Sequence, residues 1–368
     1  MKPLVTAFFI LLSAIGLSAQ QTQRLTANKT SEYGLQYVLP VTTMQVTLEA
    51  RCIERIPGIY AQYATTLLNE TPIRESSKEW TLIGAELQCG AQADDTERYL
   101  VQFKSGSAVS MELSTEGFPL AVNTENNRDF ITRPKTAMTG KEADPTILES
   151  NVARQAVTPE MMRATTQSKK AQLAAARILE IRSIRSSILS GEAEGMPQDG
   201  EAMRLVLSNL EAQESALTAM FLGTEKTYTA IRTYPVTIPD NNKSNVVVAR
   251  LSAKYGLLDA DDLTGNPVYL TFSNVRKGEL PVNEKGVEKT FPKGGLAYRI
   301  PGSIDVSLTY EGKTLLSEND LPIAQLGPVF GLDPSIFTNK KAPSYAQFDP
   351  LTGAIVEIGS VDQVSDVE

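Results

Sequence analysis

The sequence contains no histidine, only two cysteines and a single tryptophan in 368 residues. Without histidine the chain has no Ser-His-Asp or Cys-His catalytic site and no imidazole ligand for zinc or iron. Chemistry that uses carboxylates alone or a serine–lysine pair remains open. The formal net charge of −8 argues against nucleic acid or anionic lipid as the main partner, because such binding relies on Lys and Arg.

The N-terminus has the three-part order of a secretory signal peptide. Lys2 supplies the positive start, and about 14 mostly apolar residues run from Leu4 to Leu17 before small residues and a Gln-rich polar stretch. A retained membrane helix is the alternative, but a spanning helix needs roughly 20 apolar residues. We therefore expect residues 1–19 to be cleaved after Ala19. No cysteine follows at once, so we expect no direct lipid anchor.

The hydrophobic periodicity alternates between that of strands and that of helices along the chain. This order predicts the α+β class, with two antiparallel, sandwich-like β-rich domains and an intervening long antiparallel helical hairpin. The predicted segments are a signal peptide (1–19), a flexible leader (20–32), an N-terminal β-rich domain with one short helix (33–157), the helical hairpin (158–223), a C-terminal β-sandwich-like domain (224–360) and a loose tail (361–368).

The two cysteines each end a predicted strand of the N-terminal domain. Apolar residues occupy every second position from Met44 to Cys52, and again from Ile83 to Cys89, so both thiols should face the core. In an oxidising compartment, two cysteines with no others in the chain are expected to form a disulfide. We therefore predict a disulfide between Cys52 and Cys89. By closing the loop between the two cysteines, this disulfide would stabilise the folded state by about 3–4 kcal/mol. Two free buried thiols are the alternative.

The helical segment begins at Thr158, a good N-cap that is followed by Pro159. One helix is expected to reach Leu189, and after a Gly-rich breaker a second helix should end at Gly223. Arg177 and Glu214 lie on the apolar arcs of these helices, about equally far from the connection. We therefore predict an interhelix ion pair between Arg177 and Glu214. The alternative is that Arg177 reaches solvent along its own stem.

Other short patterns are too weak to assign a site. Asp259, Asp261 and Asp262 resemble the start of a calcium loop, but Leu263 and Thr264 stand where a ligand and a glycine are needed, so we expect a turn. A β-turn is also expected at Lys293-Gly294-Gly295. Lysines on a surface helix beside Ser168, namely Lys169 and Lys170, do not have the burial that catalysis needs. Tyr60 and Tyr63 have the helical spacing of core residues. We predict no cofactor and no metal.

Several segments resemble a family of exported Bacteroidota proteins that is defined by a domain of unknown function. They are YGLQYVLPVTTMQV (33–46), IPGIYAQYATTLL (56–68), GFPLAVN (117–123), GGLAYRIPGSIDVSL (294–308), IAQLGPVFGL (323–332) and FDPLTGAIVEI (348–358). The resemblance implies a Gram-negative envelope setting, in the periplasm or at the outer-membrane periphery. It implies no activity and no site residue.

These observations favour a non-enzymatic binding or scaffold protein, and we expect it to contact another envelope protein through the free end of the hairpin. Two other functions remain open. One is a carboxylate-dependent hydrolase that acts on envelope glycan. The other is a structural subunit of an outer-membrane assembly.

Overall fold

The structure is a computed structural model that describes residues 21–25, 34–102, 109–125, 151–192, 195, 200–239, 244–338 and 343–360. The predicted signal peptide and the predicted tail over 361–368 lie outside the described residues.

Fifteen strands and five helices are found within these ranges. The strands are β1 (Gln21–Arg24), β2 (Leu35–Ile56), β3 (Ser77–Gln102), β4 (Met111–Leu113), β5 (Pro119–Val122), β6 (Thr224–Val236), β7 (Ser244–Ser252), β8 (Gly256–Asp259), β9 (Asn266–Arg276), β10 (Leu296–Arg299), β11 (Gly302–Tyr310), β12 (Lys313–Ile323), β13 (Val329–Leu332), β14 (Ser344–Phe348) and β15 (Ile355–Ser360). The helices are α1 (Ala61–Leu68), α2 (Asn151–Ala156), α3 (Pro159–Arg163), α4 (Gln167–Ser190) and α5 (Gly200–Leu222).

Two very long strands, β2 and β3, pair antiparallel over most of their length. The predicted strands ending at the two cysteines are parts of this pair. A bulge at Glu49 and Ala50 inserts Ile83 as an extra residue on β3. The alternation on β3 therefore changes phase, and Ile83 is 40% exposed instead of facing the core.

The main core lies between two antiparallel sheets. The long sheet has the order β1-β3-β2-β6, and a five-stranded sheet has the order β12-β11-β9-β7-β8. Apolar side chains from both sheets form one buried cluster that includes Val46, Leu48, Leu270 and Val306. In the long sheet, strand β6 comes from the segment after the helices. In another sheet, β14 of the C-terminal segment pairs with β5 of the N-terminal segment. The two predicted β-rich segments thus contribute strands to the same sheets.

A second core covers the far end of the β2–β3 pair. Tyr37 and Tyr99 stack there with ring centroids 5.6 Å apart, and strands β4, β5, β10, β13 and β14 contribute side chains around them. The Tyr37 hydroxyl accepts from the backbone N–H of Ala297 at 2.8 Å, and this bond ties β2 to β10. Residues Gln21–Arg24, predicted as part of a flexible leader, instead form β1 and pair with the end of β3.

The helices form a third core at the opposite end of the β2–β3 pair. Thr158 caps α3 as predicted, but the predicted single helix divides, because Thr166 accepts a hydrogen bond from the Lys169 N–H and starts α4 as a new helix. Gly223 ends α5 with a φ of +89°, a left-handed value that glycine adopts without strain. The chain then enters β6 directly, so α5 is anchored to the long sheet.

Candidate functional site

The two cysteines are free thiols, which contradicts the predicted disulfide. Cys52 lies opposite Trp80 in the β2–β3 register, whereas Cys89 lies opposite Met44. The step of eight positions from Met44 to Cys52 on β2 separates the two thiols by roughly 26 Å at 3.3 Å per residue. A disulfide needs Cα atoms within about 7 Å. The alternation correctly placed Cys52 in the core, but the register prevents a bridge.

Glu214 forms an ion pair between α4 and α5, but its partner is not Arg177. Its carboxylate accepts from Arg182 Nε at 2.7 Å and from Arg185 Nη1 at 2.6 Å. Arg177 instead lies 2.8 Å from Glu180 on its own helix. The prediction assumed that equal counts from the connection bring residues to the same height. The observed pairs show that the helices are offset by about one to two turns from that count.

The environment of Glu214 keeps its carboxylate ionised. Partial burial raises the pKa of Glu214, but hydrogen bonds from Arg182 and Arg185 and their charges lower it by more, so the pKa lies below its ordinary value. A carboxylate held in this state is a poor general acid near neutral pH. The arrangement is suited to fixing the two helices against each other.

A shallow groove of about 400 Å³ follows this ion-pair cluster along the two helices. Its lining includes Glu211 and Thr218 beside the charged cluster. Arg185 Nε and the Thr218 hydroxyl are both buried there without a hydrogen-bond partner in the described ranges. The two guanidinium groups and two carboxylates in the lining balance in charge, so the groove has no net electrostatic preference for an anion or a cation.

Beyond the ion pairs, α4 and α5 present large apolar side chains to solvent. Leu189, at the end of α4, is 73% exposed, and Leu205, in the second turn of α5, is 70% exposed. We call this part of the two helices the helix tip, defined by residues 184–190 and 200–207. Ile188, the neighbour of Leu189, is the only residue of the helix tip that is buried. The two exposed leucines lie at the ends of α4 and α5 that adjoin their connection in the sequence.

The remaining sequence patterns have structural roles. Asp262 accepts hydrogen bonds from the Thr264 N–H and hydroxyl, and Asp259 pairs with Arg232, so this acidic cluster forms a turn. Gly295 N–H donates to the Pro292 carbonyl oxygen in another turn. Within the described ranges, no group of three or more Cys, Asp or Glu side chains is placed to hold a metal ion.

The two tyrosines of α1 are core residues at the base of the helices. Tyr60 is 5% exposed, with its ring 5.4 Å from that of Phe221, and Tyr63 packs against the same cluster. Ser168 and Lys169 are exposed on the first turn of α4.

A second groove, which the sequence did not indicate, lies where β6 ends beside β2. It has a volume of about 800 Å³. Among its described lining residues Glu116 is the single charged side chain, and the other polar side chains are uncharged. The polar lining residues are Thr42, Thr43, Gln45, Gln92, Glu116, Thr237 and Gln325. Hydrophobic periodicity does not predict such a groove, because its residues come from five separate parts of the chain.

These features define a β-rich α+β protein of mostly antiparallel sheets, with a small group of helices at one end of its longest strands. Residues 33–356 match the family described as a domain of unknown function (DUF4831), and the chain belongs to that family. No curated protein matches the chain, and neither does any solved structure. None of the described helices is both long and apolar enough to span a membrane.

Proposed function

We propose that this chain is an exported, non-enzymatic binding or scaffold protein of the cell envelope. The N-terminal pattern of residues 1–19 supports export, and the resemblance to exported Bacteroidota proteins supports a place in the periplasm or at the outer-membrane periphery. In this proposal α4 and α5 act as a projecting antiparallel hairpin on a sandwich-like β body. The helix tip binds another envelope protein.

The observation that carries the proposal is the change in burial along α4 and α5. Near their base, the helices bury Ile178, Ile181, Leu217 and Phe221 completely, with side chains of α1, α2 and α3 around them. At the helix tip the leucines are exposed instead, although leucine is costly to leave in water at about 25 cal/mol per Å² of apolar surface. A partner with an apolar pocket would bury them.

The exposed surface around these leucines carries charges of both signs, from Arg204, Glu201 and Glu211. Such mixed charges suit a protein surface with complementary charges, since they add specificity around an apolar centre. They do not favour an anionic lipid surface, which attracts clustered Lys and Arg.

Site-specific photocrosslinking tests the proposal in the native cell. A photoreactive residue replaces Leu205 or Leu189 in the full chain, and Leu263, which is 80% exposed in a turn of the five-stranded sheet, serves as the matched control. We expect both tip positions to crosslink to the same envelope protein, identified by mass spectrometry, and the control position not to do so. A chain that fractionates as a soluble monomer, with no shared adduct from the tip positions, would refute the proposal.

A further inference from the structure

We propose that the groove beside the end of β6 is a second binding site, for a short extended peptide segment that is uncharged or basic. We call it the amide groove, defined by its polar lining Thr42, Thr43, Gln45, Gln92, Glu116, Thr237 and Gln325. This site goes beyond the proposed function of the helix tip, because α5 joins the other end of β6 at its base and the tip lies at the far end of α5.

The amide groove exists because two paired strands have different lengths. β6 stops at Val236, which lies opposite Met44, while β2 continues back to Leu35. The edge of β2 before Met44 therefore has no strand beside it, and the groove occupies that space. Its volume of about 800 Å³ lies within the range of sites that hold small ligands, roughly 300–1,000 Å³.

Gln325 already binds one peptide unit in this groove. Its Oε1 accepts from the Thr42 N–H at 3.0 Å, and its Nε2 donates to the Thr42 carbonyl oxygen at 3.0 Å. These are the two backbone atoms that a neighbouring strand would use. In this groove, a glutamine amide thus forms two hydrogen bonds with one peptide backbone, one to an N–H and one to a carbonyl oxygen.

The other two glutamines of the lining have amides that can do the same for a ligand. Neither the Gln45 nor the Gln92 side chain makes a hydrogen bond to another described residue, and Gln45 Oε1 is buried without a partner. A buried acceptor without a donor is costly, and a peptide N–H would relieve that cost once the side chain turns toward it. The register places Gln92 opposite Val41 and Gln45 opposite Gln88, so both amides belong to the same face of the long sheet.

A ligand cannot simply extend the long sheet at this edge. The N–H of Val38 donates to the Gly117 carbonyl oxygen, Pro40 has no N–H, and Thr42 is held by Gln325. The N–H groups of Val38 and Thr42 are therefore already engaged and Pro40 offers none, which protects this stretch of β2 against strand addition, as in protected edges of other sheets. The ligand is bound by side-chain amides and hydroxyls instead.

The charge and shape of the lining decide the class of ligand. Among the described lining residues Glu116 is the only charged one, so an acidic segment is disfavoured, whereas an uncharged or basic segment is accepted. None of these described lining residues is aromatic and able to stack on a sugar ring. A peptide, with one donor and one acceptor per residue, matches the paired amide groups better than a glycan does.

Peptide capture tests the inference with the full chain lacking residues 1–19. The immobilised protein is exposed to a pool of synthetic hexapeptides randomised over uncharged residues and Lys, to an equivalent pool containing Asp and Glu in place of Lys, and to cellohexaose and maltohexaose. We expect the first pool to be retained and its best members to bind about tenfold more weakly to the Gln45→Ala/Gln92→Ala double variant.

Gln88→Ala is the matched control, because Gln88 lies on the same face but outside the groove and bonds to Glu86. It should bind the peptides like the unaltered protein, and thermal unfolding of each variant shows that the fold is retained. Retention of a hexasaccharide alone, preference for the acidic pool, equal loss with the control, or no retention would each overturn the inference. The crosslinking result at the helix tip is independent of all these outcomes.

Discussion

The base and the tip of α4 and α5 both carry apolar side chains, but these side chains are buried at the base and exposed at the tip. At the base, alanines and isoleucines such as Ala174, Ala175 and Ile178 are buried, and small side chains let the neighbouring helices approach closely. At the tip, Leu189 and Leu205 are more than two-thirds exposed. The boundary between the two regions falls at the Glu214 ion pairs.

This difference separates the energy of folding from the capacity to bind. The base is already satisfied by the chain's own side chains, so changes there should unfold the helices. The tip contributes little to the buried core, so changes there should leave folding intact and affect only a partner. The long sheet has the same division, since its inner face forms the main core and its outer edge carries the amide groove.

The largest effect is expected at the base. Phe221 is fully buried against Tyr60, and Phe221→Ala removes most of its side chain and leaves a cavity. The free energy of unfolding should fall by about 3–5 kcal/mol, measured by denaturant titration. A loss below 1 kcal/mol would mean that the base is not the core of the helical region, and the comparison would fail.

A smaller effect, with a defined pH dependence, is expected at the boundary. Glu214→Gln removes the charge that Arg182 and Arg185 surround, and it should cost about 1–2 kcal/mol, because both arginines are partly exposed and solvent screens the pairs. The folded-state pKa of Glu214 is lowered, so its stabilisation is present above the unfolded value of about 4.3 and is lost as pH falls through the folded value.

Thermal unfolding of both proteins between pH 7 and pH 3 checks this prediction. The difference in stability should be constant near neutral pH and should shrink at the acidic end. Glu211→Gln is the matched control, since Glu211 is 66% exposed and 3.9 Å from Arg185. An equal, pH-independent loss for both variants would contradict the assigned role of Glu214.

Substitutions of two arginines on α4 test which side chain holds Glu214 at this boundary. Arg182→Gln removes an interhelix hydrogen bond to Glu214 and should cost about 0.5–1 kcal/mol, whereas Arg177→Gln removes only a pair within one helix and should cost no more than about 0.5 kcal/mol. A double-mutant cycle with Glu214→Gln separates them, because only Arg182 should show coupling. Coupling of Arg177 to Glu214 would restore the pairing expected from the sequence.

Periodicity in the sequence was sufficient where one face of an element is buried and the other is wet. The alternation from Met44 to Cys52 predicted a stretch of β2, and β11 has the same pattern, with Ile304, Val306 and Leu308 buried. Edge strand β12 carries no such pattern, because most of its residues are exposed. Burial, and not strand formation itself, is what periodicity reports.

Register and relative height of elements were beyond the reach of periodicity. The alternation gave the face of Cys52 but not its neighbour across the sheet. The antiparallel order of β2 and β3 contained the missing information, since the end of the first strand must lie near the start of the second. Hydrophobic periodicity carried no signal for the amide groove. Its lining residues, such as Gln92 and Gln325, are far apart in the sequence and meet only in the folded chain, beside the end of β6.

The smallest effect on stability is expected at the helix tip, where it is most informative about function. Leu205→Ala removes an exposed side chain from a position that alanine also suits in a helix, so the free energy of unfolding should change by no more than about 0.5 kcal/mol. The same change should abolish the shared crosslink detected from Leu189, because the apolar contact with the partner is lost. A loss of stability comparable to that of Phe221→Ala would show that the tip belongs to the core. An unchanged crosslink would show that the partner binds elsewhere.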